Sequence, residues 1–408
     1  MAHTTRLARE DIIDRDGWTQ TGVVVDYPSG PRQSLWYRAR LPEGWRLSES
    51  SDAFVLVPLF KAMRLGGTLQ VEGEVSPSLL ANLEEFQAVM ACWHRGRFRK
   101  VEIVAEREGE QPRGEGGALF SFSGGVDSCF TAYRHARGEA GRRTQTLGAG
   151  VMVHGFDIPI GDKQSFQAAA DKAEAMLATL DLPLVRMATN VQRVEHAWDD
   201  VAGPAIASAL HLLQPNGGVG LIAGSEPYQF LGTWRWGSHP ISDPLLSSEP
   251  FPIVHDAGGY SRPQKITAIA RWPAAMRHLR VCWAGPQKFS NCGRCEKCVR
   301  TILMFRACGL GVPECFPADV TDRQISSLPY ISRGDIPSWR QLLDVIDERG
   351  LSGSWVKAVR AVYYRRLRRD YRRVVTGHVR RRVSAALRGR SSRASQLNAW
   401  KLARTEQR

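Results

Sequence analysis

The chain has 408 residues, 43% of them hydrophobic and 24% charged, a composition that excludes a disordered or fibrous protein and leaves room for two or three globular domains. Its net charge of +14 is confined to one end: residues 357–408 carry 17 Lys/Arg against Asp370 and Glu406, leaving the other 356 residues at −1. The first twenty residues contain no apolar signal-peptide core and no run reaches the ~18 uncharged residues of a membrane span, so a cytoplasmic location is expected, where the eight cysteines read as metal ligands or buried thiols rather than disulfides.

Residues 20–112 alternate short strand-like runs, "TGVVVDY", "SLWYRARL", "AFVLVPLF", "TLQVEGEV" and "KVEIVAE", with one helical pattern over Ser76–His94. In that pattern Leu79, Leu80, Leu83, Phe86, Val89 and Met90 recur at helical spacing. The spacing predicts an N-terminal α+β domain over 1–112, closed by the polar linker "REGEQPRGEGG". From 113 to 280 buried strands ("GALFSF", "LGAGVMV", "PLVRMA", "GVGLIAG") alternate with helices predicted from Ser128, over 163–180 and over 196–213. Such alternation means βαβ units and a parallel sheet covered on both faces, with ligands held beyond the carboxyl ends of the strands.

The loop after the first of these strands reads "SFSGGVDSCF". Paired glycines between a strand and a helix place backbone N–H groups and the positive helix end at one point, an arrangement suited to phosphate. Ser123 and Ser128 flank it as hydroxyl donors, with Gly124, Gly125 and Val126 between. The lysine of a GxxxxGK[ST] loop is absent, and so is a GxGxxG fingerprint. Asp127 is out of place beside bare polyphosphate and predicts a Mg²⁺ ion or a metal-bound water.

Further on, "VCWAGPQKFSNCGRCEKCVRT" supplies Cys282, Cys292, Cys295 and Cys298. Four thiolates with CxxC turns predict a closed structural zinc site, Zn²⁺ being favoured over a four-cysteine iron–sulfur cluster. This four-cysteine zinc module is expected over 281–320 and a helical extension over 321–356. From Trp355 the apolar residues Val356, Val359, Tyr363, Leu367, Tyr371, Val374 and Val375 recur three or four apart among arginines. That is a basic amphipathic helix within a tail over 357–408. It could bind nucleic acid or another acidic partner, lie on an anionic membrane surface, or pack on the body with a solvated arginine face.

"SGGVDS" resembles the signature of the PP-loop ATP pyrophosphatase superfamily, and its pairing with the cysteine cluster resembles the 7-cyano-7-deazaguanine synthase (QueC-like) branch. The likeness covers roughly residues 115–305 and includes an arginine shortly after the cluster, here Arg300. It implies a parallel-sheet PP-loop (HUP-like) core, ATP and Mg²⁺ as cofactors, and cleavage of ATP to AMP and pyrophosphate. A substrate oxygen would be adenylated and AMP displaced by a nitrogen nucleophile, on a small-molecule or macromolecular acyl or amide substrate. The related activities are tRNA modification and, for QueC-like proteins with extra domains, modification of a partner protein in defence assemblies. By the same likeness Asp157, in "HGFDIP", falls where relatives hold adenine and ribose. The missing loop lysine needs a cationic substitute at the α-phosphate, and Lys265 or Arg262 is expected to supply it. His239, in "WGSHPISDPLLSS", is expected as a substrate-binding or proton-transfer residue, while Trp234 and Trp236 are open between stacking on a base or sugar and packing in the core. That "GSEP…LLSS" segment does not match the family's substrate motif.

Overall fold

The computed structural model describes residues 4–232, 235–328, 331–332 and 334–369. Ten strands form one sheet: β1 Thr4–Arg15, β2 Trp18–Asp26, β3 Gln33–Arg40, β4 Thr68–Val75, β5 Glu102–Glu108, β6 Ala118–Ser121, β7 Leu147–His154, β8 Leu184–Thr189, β9 Gly220–Ala223 and β10 Ile253–Asp256. Their order across the sheet is β10-β9-β6-β7-β8-β3-β2-β1-β4-β5. The five strands from β6 to β10 are mutually parallel. Numbered from the first of them, they run 3-2-1-4-5 when read from the β8 side, the doubly wound order in which the chain reverses direction across the sheet at its first strand. That reversal lies between β6 and its two neighbours, β7 on one side and β9 on the other.

Side chains on these strands point alternately to two cores. Phe120, Met152 and Leu221 face one, beneath the helices Val126–Ala136, Lys163–Ala178, Arg262–Ile269, Glu296–Ala307 and Ile336–Glu348. Leu119, Val151, Val153 and Ile222 face the other, beneath Trp198–Leu212 and the helices of the N-terminal region. Burial on both faces explains why these strands read as continuous apolar runs.

Residues 1–112, expected as an N-terminal α+β domain, join the same sheet: β3 pairs antiparallel with β8, with Tyr37 opposite Thr189 and Arg40 opposite Arg186. Sheet and core both run through the linker boundary at 112. "AFVLVPLF", expected as a strand, forms the helices Asp52–Val55 and Pro58–Leu65 instead. Residues 53–57, 59 and 60 are buried on every side, so no polar face exists to reveal the helical period, and Pro58 takes a first-turn position that needs no N–H. The predicted helix over Ser76–His94 is observed as Pro77–Trp93. Residues 354–369 are helical and bury Val356, Val359, Val362 and Tyr363 in the first core; residues 370–408, with the remainder of the predicted basic helix, lie outside the described residues. None of the described helices is long and apolar enough to cross a membrane.

Candidate active site

The Gly-rich loop leaves β6 at the reversal point and runs into the helix Val126–Ala136. Gly124 has φ of +73°, a left-handed conformation that a side chain would strain, and a Cβ there would press on Met176 at 3.3 Å. Ser128 is spent on the loop itself. Its hydroxyl accepts from the Ser123 N–H at 3.3 Å and donates to the Gly125 carbonyl at 3.2 Å. Ser123 Oγ accepts from the Gly125 N–H at 3.3 Å and lines the open cavity.

Asp127, in the first turn of that helix, meets the two cations foreseen as phosphate ligands. Lys265 Nζ donates to Oδ1 at 3.0 Å and Arg262 Nη2 to Oδ2 at 3.1 Å. Lys265, fully buried, also donates to the Gly224 carbonyl, and Arg262 to the Ser225 carbonyl at 3.3 Å. Both cations project from the helix Arg262–Ile269, which a Ser261–Gln264 capping box starts. Burial alone would raise the Asp127 carboxyl, but Arg262 and Lys265 outweigh it and hold it below the ordinary carboxylate range. Two positive groups within 3.1 Å oppose a divalent cation at this carboxylate, so the residues present do not fit the Mg²⁺ role expected of Asp127.

Asp157 reaches the same cavity from the turn after β7. There Gly155 has φ of +101°, and a Cβ would lie 2.0 Å from the Thr189 carbonyl oxygen, so only glycine fits. Asp157 Oδ2 accepts from Arg280 Nη2 at 2.5 Å. Sequence reasoning missed Arg280. Its guanidinium also donates to the Ser123 carbonyl at 3.2 Å, and its backbone N–H to the Gly124 carbonyl at 2.8 Å. The signal was its place two residues before the first cysteine of the cluster, where the chain crosses the loop on its way out. Around the loop three cations, Lys265, Arg262 and Arg280, therefore face two carboxylates.

Two hollows meet here. The larger, about 560 Å³, is lined by Ser123, Gly125, Val126, Asp127 and Asp157, by Arg262 and Arg280, and by Trp283, Lys297, Arg300 and Asp335. The smaller, about 270 Å³, shares Ser123, Asp127, Asp157 and Trp283 and is otherwise mostly apolar, walled by Val151, Val153, Phe156, Trp198, Ile206 and Leu210. Together they have the form of a ligand site: an apolar slot joined to a few convergent polar groups. Trp236 lines the larger hollow, whereas Trp234 lies outside the described residues.

His239 is not brought to either hollow. It is buried, edge-on to Trp93 at 4.8 Å. Its Nε2–H donates to the Leu231 carbonyl at 3.1 Å and its Nδ1 accepts from the Ile241 N–H at 3.1 Å. With both ring nitrogens engaged by backbone, it has none free for proton transfer.

The four sulfurs of Cys282, Cys292, Cys295 and Cys298 lie within 4.8 Å of one another, Cys292 and Cys298 at 3.9 Å. A zinc tetrahedron with Zn–S near 2.3 Å needs S···S of roughly 3.8 Å, so the cluster fits a four-thiolate metal such as zinc. The Cys292 N–H points at Cys282 Sγ (3.4 Å) and the Cys295 N–H at Cys292 Sγ (3.3 Å), bonds that stabilise thiolate charge. Gly293 makes the first CxxC turn at φ of +71°. Cys295 then opens the helix Glu296–Ala307, which carries Cys298 back to the metal position and Lys297, Arg300 and Thr301 into the wall of the larger hollow.

Compared with known protein families, curated protein sequences and solved structures, the chain finds no match.

Proposed function

We propose that this chain is an ATP-dependent adenylating enzyme, producing AMP and pyrophosphate, of the PP-loop and QueC-like kind. The observation that carries the reading is the placement of "SGGVDS": it leaves the first strand of a 3-2-1-4-5 parallel sheet where an apolar slot and a polar hollow meet. The purine lies in the slot between β7 and the helix Trp198–Leu212. The polyphosphate lies on the N–H groups of Gly124 and Val126, at a positive helix end, under the cations Arg262 and Arg280. A substrate oxygen in the larger hollow attacks the α-phosphorus and the bond to the bridging β-phosphate oxygen breaks. Pyrophosphate leaves, with charge developing on its oxygens against cations fixed in place beforehand. A nitrogen nucleophile then attacks the activated carbon, AMP departs with the bonding pair, and the surplus proton passes to solvent. The thiolate centre, read as zinc, is structural, because four protein ligands leave no open position.

Filling the slot tests this assignment. Ile206→Trp adds an indole at a partly buried wall position of the slot. It is expected to weaken ATP binding at least tenfold in equilibrium dialysis while leaving pyrophosphate binding and the unfolding midpoint near wild type. Unchanged ATP affinity would remove the purine from this slot.

A further inference from the structure

The cations that line the larger hollow are not equivalent. Arg262 is paired with Asp127, Arg280 with Asp157, and Arg300 with Glu296 and Asp335 at 2.6 and 3.2 Å. The Lys297 ammonium makes no ion pair or hydrogen bond among the described residues; its Nζ sits over the ring of Trp283, 3.4 Å from the centroid. An indole face attracts an ammonium and fixes its position, but it supplies no acceptor for the three N–H bonds and no compensating charge. A partly buried ammonium so held is incomplete until an anion arrives, and an oxyanion that reaches it forms charge-assisted hydrogen bonds without first breaking a protein ion pair.

We infer that Lys297, held on Trp283, is an oxyanion-anchoring residue on the wall of the larger hollow. Its ligand is a phosphate or carboxylate oxygen from one of two sources: the polyphosphate of the nucleotide, or an acidic group on the second substrate. The identity of those sources rests on the adenylation reading; the anchoring itself does not. The same residue ties the cysteine centre to the ligand site, because Lys297 lies between two of the four cysteines.

Binding of defined anions tests this without turnover. Wild type, Lys297→Met and Lys297→Arg would be titrated calorimetrically with pyrophosphate and ATP as polyphosphate probes, and with citrate as the carboxylate probe. Methionine keeps an unbranched chain on the indole and removes the charge, whereas arginine keeps the charge. At least one probe is expected to bind wild type, to lose about tenfold or more in affinity with Lys297→Met, and to recover with Lys297→Arg. Dependence confined to pyrophosphate and ATP assigns the nucleotide, and dependence confined to citrate assigns the acidic substrate. If Lys297→Met alters its fold or metal content, Trp283→Leu, which releases the ammonium without removing it, should still weaken the same probe. Binding indifferent to these variants, or no binding of any probe to wild type, overturns the inference. A protein that binds probes through Lys297 but yields no AMP would keep the inference and remove the adenylation reading.

Discussion

Asp127 and the buried Lys265 hold each other, with Arg262 on the second carboxylate oxygen. Lys265 is fully buried, and among the described residues the Asp127 carboxylate and the Gly224 carbonyl receive its protons. Removing the carboxylate leaves Lys265 a buried, uncompensated charge, so Asp127→Asn is expected to cost about 3 kcal/mol or more of stability, and Lys265→Met less, because Arg262 still pairs with Asp127. The double replacement Asp127→Asn with Lys265→Met should cost clearly less than the sum of the singles, as measured by denaturant unfolding; strict additivity would show the two residues are uncoupled. Paired carboxylates and buried histidines also set a pH response. Asp127 and Asp256 have folded pKa values below ordinary, so their contribution is present above about pH 4, the unfolded carboxylate value, and is lost as pH falls toward the folded values. Burial also pushes His154, His211 and His239 below their ordinary value. The unfolded chain then takes up protons first, so stability should begin to fall below about pH 6.5, ahead of the carboxylates. A stability profile flat from about pH 7 to 5 would contradict the buried neutral histidines. At this scale the sequence marked Arg262, Lys265 and Asp127 as site residues because of their charge beside a phosphate-type loop. That the cations would bind the aspartate rather than await a phosphate depended on a contact across 135 positions and had no local sign.

Among the elements, the cysteine segment was the most legible, because thiol spacing fixes a local geometry whatever the rest of the chain does. The CxxC turns and the helix starting at Cys295 follow from it. Less legible was the consequence, that this helix also forms one wall of the ligand hollow. Metal-binding energy at such a site is folding energy. Protein purified without added metal should therefore contain about one zinc per chain by elemental analysis, and Cys295→Ser should lower the melting temperature. Cys308→Ser, outside the cluster, should leave zinc content unchanged. A brown protein with iron and sulfide would replace zinc by a cluster. The turn "HGFD" shows another limit. Its glycine was visible, but the reason only glycine fits is a carbonyl of Thr189 on the neighbouring strand, which local pattern does not contain.

For the whole molecule, parallel strands β6 to β9 could be read from alternating apolar runs and helices, but neither β10 nor the order that puts the Gly-rich loop at the reversal point could. The joining of residues 1–112 to the same sheet could not either. Its deciding contact, β3 on β8, links residues about 150 apart, and each strand taken alone is compatible with a separate sheet. The polar hollow and the apolar slot likewise exist only once β7, the helix Trp198–Leu212 and the cysteine module are assembled around the loop. The central claim is that this assembly cleaves ATP between its α and β phosphates. The measurement that tests it most directly is the nucleotide product formed from α-labelled ATP with Mg²⁺, ammonium and a small-molecule extract, beside a parallel mixture with bulk tRNA and an Asp127→Asn control. The account predicts labelled AMP with equimolar pyrophosphate in one mixture and its loss in the control. Labelled ADP with inorganic phosphate, or AMP formation that Asp127→Asn leaves untouched, would contradict it.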